Sequence, residues 1–295
     1  MYHAQVAELS QPRDVTIGRD RSWRISGMES CRAPRTTIEP PDAALAHLLT
    51  RYESWSPPAP RDVPEEHQRA LWVLPGEARL VVVCAGGQVS AMIGNRRYDG
   101  LPQVVLFGPT SRATRLVSTG PRVVTIGLSA LGWAMLVARS AAALGDRAVP
   151  AADVLDVRLV AALAEAIQGA EDEGVADRID AVVATATCAQ LADEALVRGL
   201  AAIIDKGVVC VAEAAGVELG VASHVVRRSA LRHFGYPPKV LLNRRRFVRA
   251  LERMVLSDRG YSEAARHGYF DASHFIRDAK RFLGMTPRRF LALAS

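Results

Sequence analysis

From Gly207 to the C-terminus the chain writes one outline twice. In the first copy "VVCVAEAAGVELG" is a short helical run ending at Gly220, with Gly216 four residues earlier. "VASHVVRRSALRHFG" then runs to Gly235, and "YPPK" marks a proline restart. In the second copy "SEAARHG" ends at Gly268 with Ala264 four residues earlier, and "YFDASHFIRDAKRFLG" runs to Gly284. "MTPRRF" restarts there, with Thr286 as cap and Pro287 in the first turn. Gly220 to Gly235 is 15 residues and Gly268 to Gly284 is 16. The small residue lets two helices cross closely, and the glycine permits the turn between them. Val240 to Leu256, "VLLNRRRFVRALERMVL", links the copies with an amphipathic helical pattern. This is the outline of two helix-turn-helices on one long helix. Such a pair can present its second helices to successive major grooves, about 34 Å apart.

The second copy is the sharper. Asp271 is placed to accept backbone N–H groups of the helix that follows. Phe275, Ala279 and Phe282 fall at i, i+4 and i+7, giving one apolar face. His274, Arg277, Asp278 and Arg281 occupy the other faces. Charge agrees with a partner that is negative. Residues 205–295 carry 17 Lys and Arg against 8 Asp and Glu, whereas 156–204 carry 3 against 9 and 1–155 carry 17 against 14. A basic C-terminal third suits nucleic acid, and a solvated basic surface is the plainer alternative.

Upstream the character differs. "CRAPRTTIEPPDAA" and "SWSPPAPRDVPEE" concentrate prolines, so residues 1–62 read as a poorly structured extension, with one short helix over Asp42 to Tyr52 capped by Asp42. From Leu71, "LWVLPG", "ARLVVVCAGG", "QVSAMIGNRRYDG", "PQVVLFGPTS", "ATRLVSTGP" and "RVVTIGLS" are short β-branched runs punctuated by turn residues. Strands at that spacing predict a small β-barrel or sandwich over 63–155. Gly132 to Asp146 turns helical. A helical linker follows over 156–206, with Leu159, Leu163 and Ile167 on one stripe. The expected fold class is α+β, closing with an all-α tandem helix-turn-helix over 207–295.

Several functions find no support in the residues. No apolar run approaches the roughly 18 residues of a membrane span, and the start lacks the pattern of an export signal, so a cytoplasmic location is expected. Cys31, Cys84, Cys188 and Cys210 stand singly, which suits reduced thiols and offers no zinc knuckle. His67 is the only histidine between Val63 and Pro150, so a metal site in the β-rich part is not expected. No phosphate loop, G-x-S-x-G or C-x-x-C is present; cofactor, metal and catalytic residues are all expected to be none. His274 lacks an oriented nucleophile, because Asp271 is better used as a cap.

"GYFDASHFIRDAKRFLGMTPRRF" resembles the signature of the AraC/XylS transcription regulators, roughly G-F-x-D-x-S-H-F-x-R-x-F-K-x-x-x-G-x-T-P-x-x-Y. Gly268, Asp271, Ser273, His274, Phe275, Arg277, Lys280, Gly284, Thr286 and Pro287 match it, with Tyr269 and Phe290 as aromatic stand-ins. The resemblance spans Gly207 to Ala294, and the β-rich part resembles the cupin-like sensor domain of one branch. Ala279 and Ala230 replace larger core residues of the pattern, Val226 replaces Leu, and Ala222 stands where a Ser cap is common.

The resemblance implies base readers in the N-terminal half of each second helix. These are His224, Arg227 and Arg228 in the first unit, and Ala272, Ser273, Ile276 and Arg277 in the second. An arginine on guanine is worth about 1–3 kcal/mol of discrimination. Lys239, Arg244, Arg245, Arg246, Lys280 and Arg281 are the phosphate candidates, although three consecutive arginines splay around a helix and cannot all face a duplex. Trp72, Met92, Phe107, Trp133 and Met135 are the candidates for an effector pocket, with barrel core as the plainer role. The expected partners are double-stranded DNA, a small-molecule effector, RNA polymerase for an activator, and a second copy of the chain; no membrane is expected. Two rivals stay open: a DNA-repair or DNA-modifying enzyme that borrows the binding module, and a protein-interaction module with a basic surface.

Overall fold

The computed structural model describes residues 35–56, 70–84, 88–118, 122–137, 139–168, 174–186, 190–207, 212–257, 264 and 266–294. Two antiparallel sheets stack in the N-terminal part. The strands are β1 (Arg35–Glu39), β2 (Leu49–Ser56), β3 (Leu71–Val73), β4 (Arg79–Val83), β5 (Val89–Ile93), β6 (Arg96–Tyr98), β7 (Val104–Phe107), β8 (Thr114–Ser118), β9 (Val123–Leu128) and β10 (Ala148–Pro150). One sheet runs β1-β2-β9-β4-β7-β10 and the other β3-β8-β5-β6. Both keep free edges among the described residues, so of the two expected forms this is the open sandwich.

The larger sheet is covered on both faces, which is why its central strands read as unbroken apolar runs. Val81, Val83, Val105, Phe107 and Val123 face the smaller sheet and meet Val73, Val89, Ala91, Ile93 and Leu116. Leu80, Val82, Leu106, Val124 and Ile126 face the opposite way, into a helical layer. Each such side chain contributes about 1.5–3 kcal/mol by leaving water. The outer face of the smaller sheet is open at β5, which accordingly alternates: Val89, Ala91 and Ile93 are buried, and Met92 is exposed.

The expected extension over 1–62 is corrected where it is described. Residues 35–56 carry two paired strands, from Arg35 opposite Ser56 to Glu39 opposite Tyr52. The predicted helix over Asp42 to Tyr52 is cut to a turn. Asp42 does cap, accepting the Ala44 N–H at 2.7 Å, but Leu49 onward extends. Tertiary burial decides this: Leu49 and Tyr52 fill the helix-facing core while Trp55 fills the inter-sheet core, which only an extended chain allows. Residues 1–34 and 57–69, including Cys31 and His67, lie outside the described residues, as do Cys188 and Cys210.

Helix α1 (Ala130–Leu136) starts at Ser129, whose Oγ accepts the Gly132 N–H at 2.9 Å. Helices α2 (Val157–Gln168) and α3 (Val175–Ala184) pack as a pair on the larger sheet. The predicted stripe of Leu159, Leu163 and Ile167 is buried there with Ile179 and Val183. Helix α4 (Glu194–Lys206) behaves differently from a linker, since Leu200 and Ile203 enter the core of the first C-terminal unit. That unit comprises α5 (Ala212–Leu219) and α6 (Ser223–Ser229), which widens into a π-type turn over Ala230–Phe234. The long α7 (Pro238–Ser257) leads to the second unit, with α8 (Ala272–Leu283) and α9 (Pro287–Ala294). Half of the run expected as the first helix of the second unit, "SEAARH", lies outside the described residues; Ala264 within it is helical and buried.

Candidate nucleic-acid interface

In the first unit a tight turn joins α5 to α6. A Cβ on Gly216 would lie 2.6 Å from the Val221 carbonyl oxygen, so the small residue expected there is required by the crossing. Ala222 supplies no side-chain cap, as the missing serine implied. Val226 and Ala230 are fully buried against Leu200, Ala215 and Leu241. That orientation leaves His224, Arg227 and Arg228 exposed on the far side of α6. The Arg227 guanidinium pairs with Glu213 of α5. Both partners are more than half exposed, so the pair is screened and can open to a competing acceptor at little cost.

The second unit closes on aromatic rings. Phe247 of α7 lies 5.4 Å from Phe275 and 5.3 Å from Phe282, and Tyr269 meets Phe275 edge-on at 5.1 Å. Asp271 caps α8 as predicted: its Oδ1 accepts the His274 N–H at 2.6 Å. Phe275, Ala279 and Phe282 are completely buried, so Ala272, Ser273 and Arg277 are exposed and Ile276 is half-buried. His274 stacks edge-on against Tyr269 at 5.0 Å, a structural contact. The Tyr269 hydroxyl donates to Asp278 at 2.9 Å; burial, then the Asp278 carboxylate, raises its pKa above the ordinary phenol value.

The three arginines of α7 diverge, and two leave the phosphate set. Arg244 is buried, donates to the Thr110 carbonyl at 2.8 Å and sits 5.7 Å from the Tyr236 ring. Arg246 lies 4.6 Å over the Tyr269 ring and pairs with Asp278 at 3.3 Å. Each is turned inward because α7 is covered on two sides, by the β-sandwich and by α8. Arg245 pairs with Asp205 at 2.9 Å and stays partly exposed. Lys239, Lys280 and Arg281 are exposed, the last with its guanidinium 5.3 Å from Phe282. Of the candidate cations, the accessible ones therefore lie on α6, on α8 and in the first half of α7.

The effector-pocket residues do not converge. Trp72 packs edge-on against Phe290 at 5.5 Å, in the core of the second unit. Met92 is exposed, and Phe107 fills the inter-sheet core. Trp133 and Met135 belong to the helix-facing core, where the Trp133 indole donates to the Arg139 carbonyl at 2.8 Å. One narrow cleft does touch Trp133. Ala78, Pro109, Leu128 and Ser129 line it from the sandwich, His233 and Phe234 from the first unit, and Arg244 from α7, with room for about one water. Among the described residues no group of three His, Cys, Asp or Glu side chains could hold a metal ion, and no helix is long and apolar enough to cross a membrane.

Residues 217–292 match the helix-turn-helix domain family. Among solved structures, ToxT from Vibrio cholerae O395 is similar at 11% identity and TM-score 0.43, covering 89% of this chain and 98% of its own. Unsaturated fatty acid-bound wild-type ToxT from Vibrio cholerae strain SCE256 is similar at 10% identity and TM-score 0.44, covering 90% and 98%. The AraC-like transcriptional activator CuxR is similar at 14% identity and TM-score 0.26, covering 74% and 87%. No curated protein matches this sequence.

Proposed function

We propose that this chain, whose C-terminal part is an AraC-type helix-turn-helix domain, is a sequence-specific DNA-binding transcription regulator. One observation carries the reading. The cores of both units turn the same kind of surface outward on their second helices: exposed polar and basic side chains at the N-terminal half, backed by a buried face that is apolar on α8 and centred on Val226 and Ala230 in the first unit. Arg227 on α6 and Arg277 on α8 would read guanine edges; His224, Arg228, Ala272, Ser273 and Ile276 would flank them. Lys239, Lys280, Arg281 and the solvent-side Arg245 would hold phosphates. Double-stranded DNA is the partner, and RNA polymerase the second one if the chain activates. The N-terminal sandwich would answer a small-molecule effector or a second copy of the chain by shifting the population of DNA-competent arrangements.

Selection of duplexes from a random library by the full-length protein tests this. Two short motifs about one helical turn apart are expected, with Arg227→Ala losing one and Arg277→Ala the other. Binding through six or more phosphates should also weaken on the order of a thousandfold between 50 and 200 mM salt. Absence of any enriched motif would overturn the reading.

A further inference from the structure

The turn between β7 and β8, residues Gly108 to Ala113, touches both C-terminal units and the helix between them. The Pro109 carbonyl accepts the Tyr236 hydroxyl at 3.1 Å, just past the π-type turn of the first unit. The Thr110 carbonyl accepts Arg244 at 2.8 Å, near the start of α7. The Ala113 N–H donates to the Phe282 carbonyl at 2.7 Å, satisfying an acceptor in the last turn of α8 that no helical N–H can reach. Three successive contacts thus meet three separate elements of the C-terminal part.

The turn is itself held from behind. The Asp146 carboxylate accepts the Ser111 N–H at 2.6 Å and the Arg112 N–H at 3.2 Å through Oδ1, and the Ser111 hydroxyl at 2.7 Å through Oδ2. Its own N–H donates to the Pro109 carbonyl at 3.0 Å. Asp146 is the one described non-glycine residue with positive φ, at 52°, a conformation that aspartate tolerates and few others do. Gly76 and Thr110 close the turn on the other side: the Thr110 N–H donates to the Gly76 carbonyl at 2.9 Å, and the Gly76 N–H to the Thr110 Oγ1 at 3.1 Å. Gly108 allows no side chain, since a Cβ there would fall 1.9 Å from the Leu144 carbonyl oxygen.

We infer that this turn is a clasp that sets the placement of one reading unit relative to the other, and that Asp146 is its positioning residue. Helix α7 alone ties the units end to end; the clasp ties each of them to a third body, the sandwich. A change within the sandwich therefore reaches both recognition helices through six residues. The inference deepens the proposed function, but its geometric part stands without DNA.

Spin labels at Arg232→Cys and Arg288→Cys, in full-length protein with Cys31, Cys188 and Cys210 changed to Ser, read the distance between units. Both label positions are exposed. The wild-type background is expected to give a narrow distance distribution. Asp146→Gly, which removes the carboxylate without penalising positive φ, is expected to broaden it about twofold. Asp146→Asn keeps an acceptor at Oδ1 and should restore the narrow distribution, which a general loss of folding would not do. Tyr236→Phe removes one hydroxyl from the clasp and should broaden it to a smaller degree. An unchanged distribution in Asp146→Gly would mean that α7 and the other sandwich contacts, such as Trp72 with Phe290, suffice without the clasp, and would overturn the inference. The same variants in the duplex selection separate the two readings. A relaxed motif spacing in Asp146→Gly supports the clasp, an unaltered spacing overturns it, and a wild type that enriches no motif overturns the proposed function while leaving the distance result to judge the clasp.

Discussion

The two C-terminal units share an outline and differ in how they are held up. The second is built mainly from its own rings: Phe247, Tyr269, Phe275, Phe282 and Phe290 form one cluster, to which the sandwich adds Trp72, Leu74 and Ala113, and an aspartate caps its second helix. The first has Val226 where the second has Phe275, shares an alanine core position (Ala230 with Ala279), lacks a cap, and its helix widens into a π-type turn. It makes up the deficit with borrowed support. Leu200 and Ile203 of α4 enter its core, His233 meets Asp193 at 3.1 Å, and Tyr236 reaches the sandwich. A unit that carries most of its own core shows it in sequence as a strong signature, whereas one that leans more on neighbours shows a weaker one.

The largest break in this comparison should come from Phe275→Ala. Removing a fully buried ring between Phe247 and Tyr269 is expected to cost about 3–5 kcal/mol, seen in urea unfolding as loss of the second unit. The opposite change sharpens the contrast. Ala230→Phe restores a large residue of the general pattern, yet Ala230 is wholly buried against α4 and α7, so it should destabilise by about 1–3 kcal/mol through overpacking. A stabilising result would mean that the first core is underfilled.

Capping gives a smaller, paired effect. Asp271→Ala should cost about 1 kcal/mol, and Ala222→Ser should gain about half as much, both measured by thermal melting. The smallest effect concerns pH. Burial lowers the His233 pKa below its ordinary 6.5, opposed by Asp193 and aided by Arg232. The folded state therefore binds fewer protons than the unfolded chain just below that value. This contribution to stability is complete above pH 6.5 and falls away as the pH drops from there towards the lowered folded value. A melting series should show the decline in wild type and a shallower one in His233→Gln.

Much of the outline was legible from residue order. The strand runs from Leu71 to Leu128, the Asp271 cap, the buried stripe of α8 and the stripe of α2 all rest on periodicity and local hydrogen bonding, which act over a few residues. The exposed positions of His224, Arg227, Arg228, Ala272, Ser273 and Arg277 follow from the same helical phase. The α7 arginines were legible only as a group that could not all face one way. Periodicity could not assign Arg244 to Thr110 or Arg246 to Asp278, because both partners are far along the chain. The strands before residue 57 were masked by prolines and by a capped turn that resembles a helix start.

Alone, then, the order of residues determined an α+β chain with two basic helix-turn-helix units, because caps, glycine turns and apolar phase are local properties. The tertiary structure decided which cations stay in solvent, that the pocket candidates Trp72, Phe107 and Trp133 separate into different cores while Met92 stays exposed, and that one turn behind Asp146 touches both units. Those outcomes depend on which surfaces meet. Burial and hydrogen bonding between residues more than a hundred positions apart, such as Tyr236 with Pro109 and Arg244 with Thr110, arise only once the chain has closed on itself.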